Sequence, residues 1–227
     1  MIMNTTTGIN TEKQLEECRF ALSKISHEIR NPVTLVNSSL QLMETEHPEL
    51  KQYGLWQDVM ENMQLLRHLL DDLTSYNNTC KCKRTRTEMT PWLTKLADSI
   101  PALFAGKKLT YRVTIPENLS CASIDTIKLN QALTNLLRNA FEAASREVSF
   151  LACEKCGMLF LDISNDGEPV PSDQQKDIFT PFFTTKSNGT GLGLPIAKDI
   201  LAAHDGNILL ESSKETGTRF LVSLPLD

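Results

Sequence analysis

Leu55, Val59, Met63, Leu66, Leu70 and Leu73 recur in a four-then-three rhythm, the spacing of one apolar seam along a helix. A seam that narrow needs a partner, and the chain carries one upstream. Leu15, Cys18, Leu22, Ile25 and Ile29 recur at three- and four-residue steps, and Leu35, Val36, Leu40, Leu42 and Met43 continue them. Pro32 lies between the two runs; it removes a backbone donor and crowds the preceding turn, so a bend is expected there rather than an end. A short connection around His47 and Pro48 makes the stripes an antiparallel helical hairpin over residues 11–78, after a polar tail, residues 1–10, expected to be disordered. One hairpin cannot cover both apolar faces, so a homodimeric four-helix bundle is expected.

After residue 78 the rhythm stops. The stretch SYNNTCKCKRTRTE is polar, basic and poor in apolar residues, so residues 79–88 read as a linker. Residues 89–227 mix helical patterns (near residues 90–102 and 125–145) with strand-like runs at LTYRVTIP, EVSFLAC, MLFLDIS, NILLESS and TRFLVSLP. The fold class expected is therefore an all-α hairpin followed by an α+β two-layer sandwich. Net charge is −5 with both signs interspersed, which argues against nucleic acid or an anionic membrane surface as partner. No run approaches about 18 apolar residues and the N-terminus lacks a secretory pattern, so a cytosolic chain without a membrane segment is expected. Its six cysteines then read as thiols.

Chemistry concentrates in a few places. SNGTGLGLPIAKDILAAHDG places Gly189, Gly191 and Gly193 ahead of an apolar-periodic helix, where close backbone approach and unpaired amides suit a phosphate. A flexible loop would look similar, and the segment is neither a Walker loop nor a dinucleotide fingerprint. Asn135 and Asn139 in NLLRNAFEA are four apart and share a helix face. Their amide oxygens can complete the shell of a hydrated Mg²⁺ that bridges phosphates; otherwise they are solvent-facing asparagines on an apolar helix that disfavours them. LDISNDGEPVP runs a strand into a turn able to present an amide or carboxylate to a base edge, or simply to end the strand. IFTPFFTTK sets aromatics beside Lys186, as in a lid whose cation meets a phosphate.

In this order, H-E-I-R-N-P, N-L-L-R-N-A, S-N-D-G-E-P, F-T-P-F-F-T-T-K and G-T-G-L-G-L resemble the H, N, first glycine, F and second glycine boxes of bacterial sensor histidine kinases, from about residue 11 onward. The resemblance implies a dimerisation and phosphotransfer hairpin followed by the ATP-binding sandwich shared with DNA gyrase and MutL-type ATPases. It makes His27 the phosphoacceptor for ATP, with Glu28 orienting or deprotonating its ring and Asn31 placing water for a reverse phosphatase reaction. Independently, a neutral imidazole is nucleophilic near neutral pH, and its phosphoramidate passes the group onward. Asn139 becomes the Mg²⁺ ligand and Asn135 its support. Lys186, Gly189, Thr190, Gly191, Leu192 and Gly193 become the phosphate cradle, and Thr218 lies near the adenine pocket. The implied partner is the receiver domain of a response regulator. His47, His68 and His204 read as structural.

The chain departs from that pattern. Aligned on Gly167, the adenine-reading aspartate falls on Asn165, Asp166 comes one residue later, and Pro169 replaces the second glycine. Asn165 is preferred to Asp166 as the adenine contact because adjacent strand residues face opposite ways; an amide accepts more weakly than a carboxylate, so reduced affinity is expected. Only 26 residues precede His27, so sensing is expected from a longer parent chain, a separate partner or the short tail. Cys153 with Cys156 before Gly157 resembles half of a zinc knuckle, and with Cys80 and Cys82 it raises a shared metal or redox site, against ordinary thiols as the default. Besides the kinase, a weakly nucleotide-binding adaptor, phosphatase or phosphorelay carrier fits the altered box. An ATP-hydrolysing chaperone or repair clamp does not, since Asn135 stands where those relatives tend to carry a glutamate.

Overall fold

The computed structural model describes residues 5–79, 82–104, 108–186 and 189–227; the side chains of residues 5–24, His27 and Leu103 lie outside the description. It divides into two compact units: Met1–Asn78 with Lys186–Thr190, and Thr79–Thr185 with Gly191–Asp227.

In the first unit α1 (Thr5–Glu46) is one helix that passes through Pro32. It begins inside the segment read as a tail, where no proline stands in the way. Pro32 leaves the Glu28 carbonyl, beside His27, without its usual N–H partner. A 3₁₀ turn (Pro48–Gln52), started by its proline, leads into α2 (Gly54–Asn77). Arg30 ties the helices together, reaching the Leu70 carbonyl at 3.2 Å, Thr74 Oγ1 at 2.8 Å and Asp71 Oδ1 at 3.0 Å. Near the turn, Glu44 accepts from Lys51 at 2.9 Å and from Trp56 Nε1 at 3.3 Å. Val33, Leu70 and Tyr76 are buried, while Ile25, Ile29, Leu35, Val36, Leu42, Leu55, Val59 and Leu66 remain between 38% and 76% exposed, so the hairpin alone leaves much of its apolar seam uncovered.

The second unit runs β1 (Thr85–Glu88), α3 (Met89–Ser99), a 3₁₀ turn (Pro101–Phe104), β2 (Thr110–Thr114), β3 (Cys121–Ile124), α4 (Thr126–Ala143), β4 (Glu147–Lys155), β5 (Met158–Asn165), α5 (Gly193–Ala202), β6 (Asn207–Ser213) and β7 (Gly217–Pro225). A five-stranded sheet has the order β2-β4-β5-β7-β6, with β2 parallel to β4 and the other neighbours antiparallel. Alternation along the strands sends Val148, Phe150, Leu159, Leu161, Ile163, Phe220 and Val222 into a core shared with Leu133, Leu136, Leu137 and Ala140 of α4 and Ile196 and Ile200 of α5. The opposite face carries polar residues such as Ser149, Asp162, Ser164 and Arg219.

The expected linker is not one. Thr85–Glu88 pairs antiparallel with Cys121–Ile124 as a separate two-stranded sheet, and residues 79–84 belong to the second unit. Four polar residues show no readable alternation, and their partner lies far along the chain. The C-x-x-C-G run is a two-residue hairpin turn between β4 and β5, with Cys156 at φ 51° and Gly157 at φ 71° flanked by the pair Lys155–Met158. Its glycine serves that backbone conformation. Cys82, Cys121, Cys153 and Cys156 are unbridged, and among the described residues no group of three or more metal-ligating side chains converges; Cys80 lies outside the described residues.

Candidate functional site

The predicted residues of the second unit lie on α4, at the end of β5, at the start of β7 and at the start of α5. Asp125 caps α4, its carboxylate accepting from the Lys128 amide at 3.2 Å and the Lys83 amide at 2.8 Å. Burial opposes ionisation, yet these amides hold its carboxyl below the usual range. The helix so anchored carries Asn135 and Asn139, both half-buried, on one face. Asn135 Nδ2 donates to the Gly193 carbonyl at 3.1 Å, which joins α4 to the first residue of α5. One of its two amide hydrogens is used there, and its carbonyl oxygen is the hard atom that could meet a ligand.

Gly191 has φ 67°, and a side chain there would run into the backbone of Phe182. Phe182, itself at φ 67°, donates its N–H to the Gly191 carbonyl at 3.0 Å, so the F-box end and the glycine segment are clasped together. Leu192 is buried and stands as the N-cap of α5, whose first turn has no side-chain cap; Pro195 carries no N–H there, so the amides of Gly193 and Leu194 are the ones that can face an anion. Lys186, Gly189 and Thr190, by contrast, group with the hairpin unit, where Thr190 Oγ1 donates to Asp72 Oδ2 at 2.7 Å.

At the end of β5 the adjacent Asn165 and Asp166 face opposite ways. Asn165 is buried on the helix side, directly across from Thr218; its Oδ1 accepts from the Gly167 amide at 3.0 Å and its Nδ2 donates to the Thr218 carbonyl at 3.4 Å. Asp166 instead accepts from the amides of Glu147 at 3.0 Å, Arg146 at 2.9 Å and Ser145 at 3.1 Å, and from Arg146 Nε at 3.2 Å. Those amide bonds hold its carboxyl down at about 2. Asp166 is committed to closing the α4–β4 turn on the outer face, beside a depression lined by Thr110, Glu147, Ser149, Ser164 and Thr216. Gly167 packs so close to the Ala143 carbonyl that no side chain fits. Pro169 does not unseat the turn, because the Val170 amide donates to Ser212 Oγ at 2.9 Å.

Ser212 and His204 are residues that sequence reasoning missed as parts of this frame. Ser212 Oγ also meets Thr218 Oγ1 at 2.9 Å and donates to the Gly217 carbonyl at 3.2 Å. His204, only 2% exposed, accepts from the Asp125 amide through Nε2 at 2.9 Å and meets the Ile200 carbonyl through Nδ1 at 2.7 Å. Those partners require a neutral ring with its hydrogen on Nδ1, and burial lowers its pKa from the ordinary 6.5. Cys82 Sγ lies 3.9 Å from Nδ1. No spacing rule links residue 204 to 125, so neither contact was readable. In the first unit, His27 and Glu28 are adjacent on α1 and Asn31 lies about one turn on; Glu28 and Asn31 are exposed, and the His27 side chain is outside the described residues.

Residues 19–78 match the His Kinase A (phospho-acceptor) domain, and residues 124–227 match the histidine kinase-, DNA gyrase B- and HSP90-like ATPase family. The chain is 29% identical over 209 residues to sporulation kinase C of Bacillus subtilis, covering 89% of this chain and 47% of that protein. It is 27% identical over 206 residues to sensor histidine kinase ZraS of Salmonella typhimurium, covering 89% and 44%. The chain therefore spans less than half the length of these curated relatives. Among solved structures it is similar to full-length ShkA in complex with AMPPNP (TM-score 0.77, 21% identity, 90% of this chain and 45% of that one). It is also similar to the catalytic domain of histidine kinase ThkA (TM-score 0.55, 27% identity, 63% and 95%). The two matches, in this order along the chain, are the pair of domains that make up the catalytic core of a sensor histidine kinase. The chain belongs to the sensor histidine kinases and carries their HisKA phospho-acceptor and HATPase domains. No described helix is long and apolar enough to cross a membrane.

Proposed function

We propose that this chain phosphorylates its own His27 from Mg-ATP and passes the phosphoryl group to an aspartate on a response-regulator receiver domain. The observation that carries the reading is the Asn135–Gly193 hydrogen bond, which fastens the N-box helix to the amide-bearing start of α5 within the family's ATP-binding domain. Amides at Gly191, Leu192 and Gly193, with Lys186, Gly189 and Thr190 from the rest of the segment, would take the phosphates. Asn165, Gly167 and Thr218 would form the base end. Asp166 is assigned to the fold rather than the nucleotide, because three backbone amides already occupy its carboxylate.

Asn139, with Asn135 in support, would hold Mg²⁺, since neutral amide oxygens suit a cation that keeps most of its water. When bound, the cation supplies neutralisation of phosphate charge. An unprotonated ring nitrogen of His27 forms the new P–N bond as the bond from the γ-phosphorus to the bridging oxygen breaks and ADP leaves. Glu28, next along α1, takes up or orients the proton on the other ring nitrogen. Asn31 would place water in the reverse, phosphatase sense. Positioning supplies most of the acceleration, because phosphoryl transfer asks little covalent help of the protein.

The uncovered seam of the hairpin supports a homodimer, and the chain is assigned to the cytosol with its stimulus delivered by further sequence or a separate partner. A second reading, an adaptor or phosphatase with weak nucleotide affinity, is favoured by the occupied amide of Asn165. Incubation with ATP and Mg²⁺ separates them. The kinase gains acid-labile, alkali-stable phosphate that is absent from His27→Gln and Asn139→Ala; an unlabelled but folded wild-type chain favours the adaptor.

A further inference from the structure

The base end of the proposed nucleotide site differs chemically from one read by an aspartate. Asn165 is 4% exposed, and its amide can sit only one way round. Gly167 presents an N–H at 3.0 Å and Thr218 a carbonyl at 3.4 Å; turning the amide over would set N–H against N–H and carbonyl against carbonyl. A carboxylate there offers lone pairs alone, which attract the amino group at position six of adenine and repel a carbonyl in the same place. The amide retains a second hydrogen on Nδ2 as well as a second lone pair on Oδ1, so it can meet either group.

The neighbouring hydroxyls add to this. Ser212 Oγ gives its single hydrogen to the Gly217 carbonyl and receives the Val170 amide, so its contact with Thr218 Oγ1 is satisfied by the threonine donating. Thr218 Oγ1 is then left with lone pairs, which suit the N1–H of a 6-oxo purine and not the bare N1 of adenine. We infer that Asn165, with Thr218, relaxes base selection so that the site takes 6-oxo purine nucleotides, inosine and guanosine, alongside adenine nucleotides. The inference rests on the nucleotide-site reading above.

Inosine diphosphate is the clean probe, because it differs from ADP at position six and N1 alone and transfers no phosphate. Binding of each diphosphate to the full chain with Mg²⁺ is measured by titration calorimetry, for wild type and for Asn165→Asp. A single well-placed base contact discriminates by about tenfold to a hundredfold. The wild type is expected to bind the two within about tenfold of each other, and Asn165→Asp to widen the gap in favour of ADP by about tenfold or more. A wild type that disfavours inosine diphosphate by more than that overturns the inference with no variant needed, as does an unchanged ratio in a folded Asn165→Asp. If neither diphosphate binds, the nucleotide-site reading itself falls and takes the inference with it.

Discussion

His204 is a buried titratable group outside the proposed chemistry, and replacing it with phenylalanine tests the frame that holds α4. The substitution keeps the ring volume and removes both polar atoms. The Asp125 amide loses Nε2 at 2.9 Å and the Ile200 carbonyl loses Nδ1 at 2.7 Å, both in a buried setting. A buried group left without a partner costs about 1–3 kcal/mol, so His204→Phe should lower stability by about 2–4 kcal/mol at pH 7.5. The same ring predicts a pH dependence with a definite sign. Its pKa in the fold lies below the ordinary 6.5, so the unfolded chain binds the proton first as pH falls. The stabilisation by neutral His204 is complete above about pH 6.5 and declines below it, by at most about 1.4 kcal/mol per pH unit, until the folded-state pKa is passed. Arg84 and Lys128 face the ring and oppose its charging, and Asp125 favours it, so burial decides. Urea unfolding of both proteins between pH 7.5 and 5 reads the difference, in which the other histidines cancel. A loss under about 0.5 kcal/mol at pH 7.5, or parallel pH profiles, would refute the reasoning.

Arg30→Met should keep the apolar stem but lose the Leu70, Thr74 and Asp71 contacts; because these are part-exposed, the hairpin should soften by only about 1 kcal/mol, seen as a lower helical melting temperature. Asp166→Ala leaves three amides at the α4–β4 turn unmatched and should cost about 1–2 kcal/mol in urea unfolding without altering the ADP-to-inosine-diphosphate ratio. Since its carboxyl is held at about 2, the wild-type contribution is whole above about pH 4 and vanishes as pH falls through 2, a limb that Asp166→Asn should lack. Gly191→Ala places a side chain at φ 67° against the backbone of Phe182, and a penalty of about 1–2 kcal/mol there should weaken ADP binding roughly tenfold by calorimetry.

Long periodic segments were the legible part of this fold. The seam from Leu55 to Leu73 is α2, and the apolar alternation of EVSFLAC and MLFLDIS is β4 and β5, because burial of one face writes its period into the sequence. Thr85–Glu88 was unreadable as a strand because all four residues are polar and their partner, Cys121–Ile124, is more than thirty residues away. Candidate site residues can be named from motifs in the sequence, whereas their hydrogen bonds cannot. Nothing in SNDGEP distinguishes an Asp166 stapled to three amides from one reading a base; the choice came from strand alternation, and the partners came from the turn between α4 and β4. Likewise, the Asn135–Gly193 bond depends on how α4 meets α5, a tertiary relation with no local signature. His204 reads as structural from the sequence, but its bond to the Asp125 amide is a tertiary relation of the same kind.

The account stands on the transfer of a phosphoryl group to the ring at position 27, and phosphorus NMR of the full chain after incubation with Mg-ATP observes that bond directly. A phosphoramidate resonance that disappears in His27→Gln, with stoichiometric release of ADP, is the predicted result. A folded, nucleotide-bound chain that shows no such resonance, or keeps it in His27→Gln, contradicts the account.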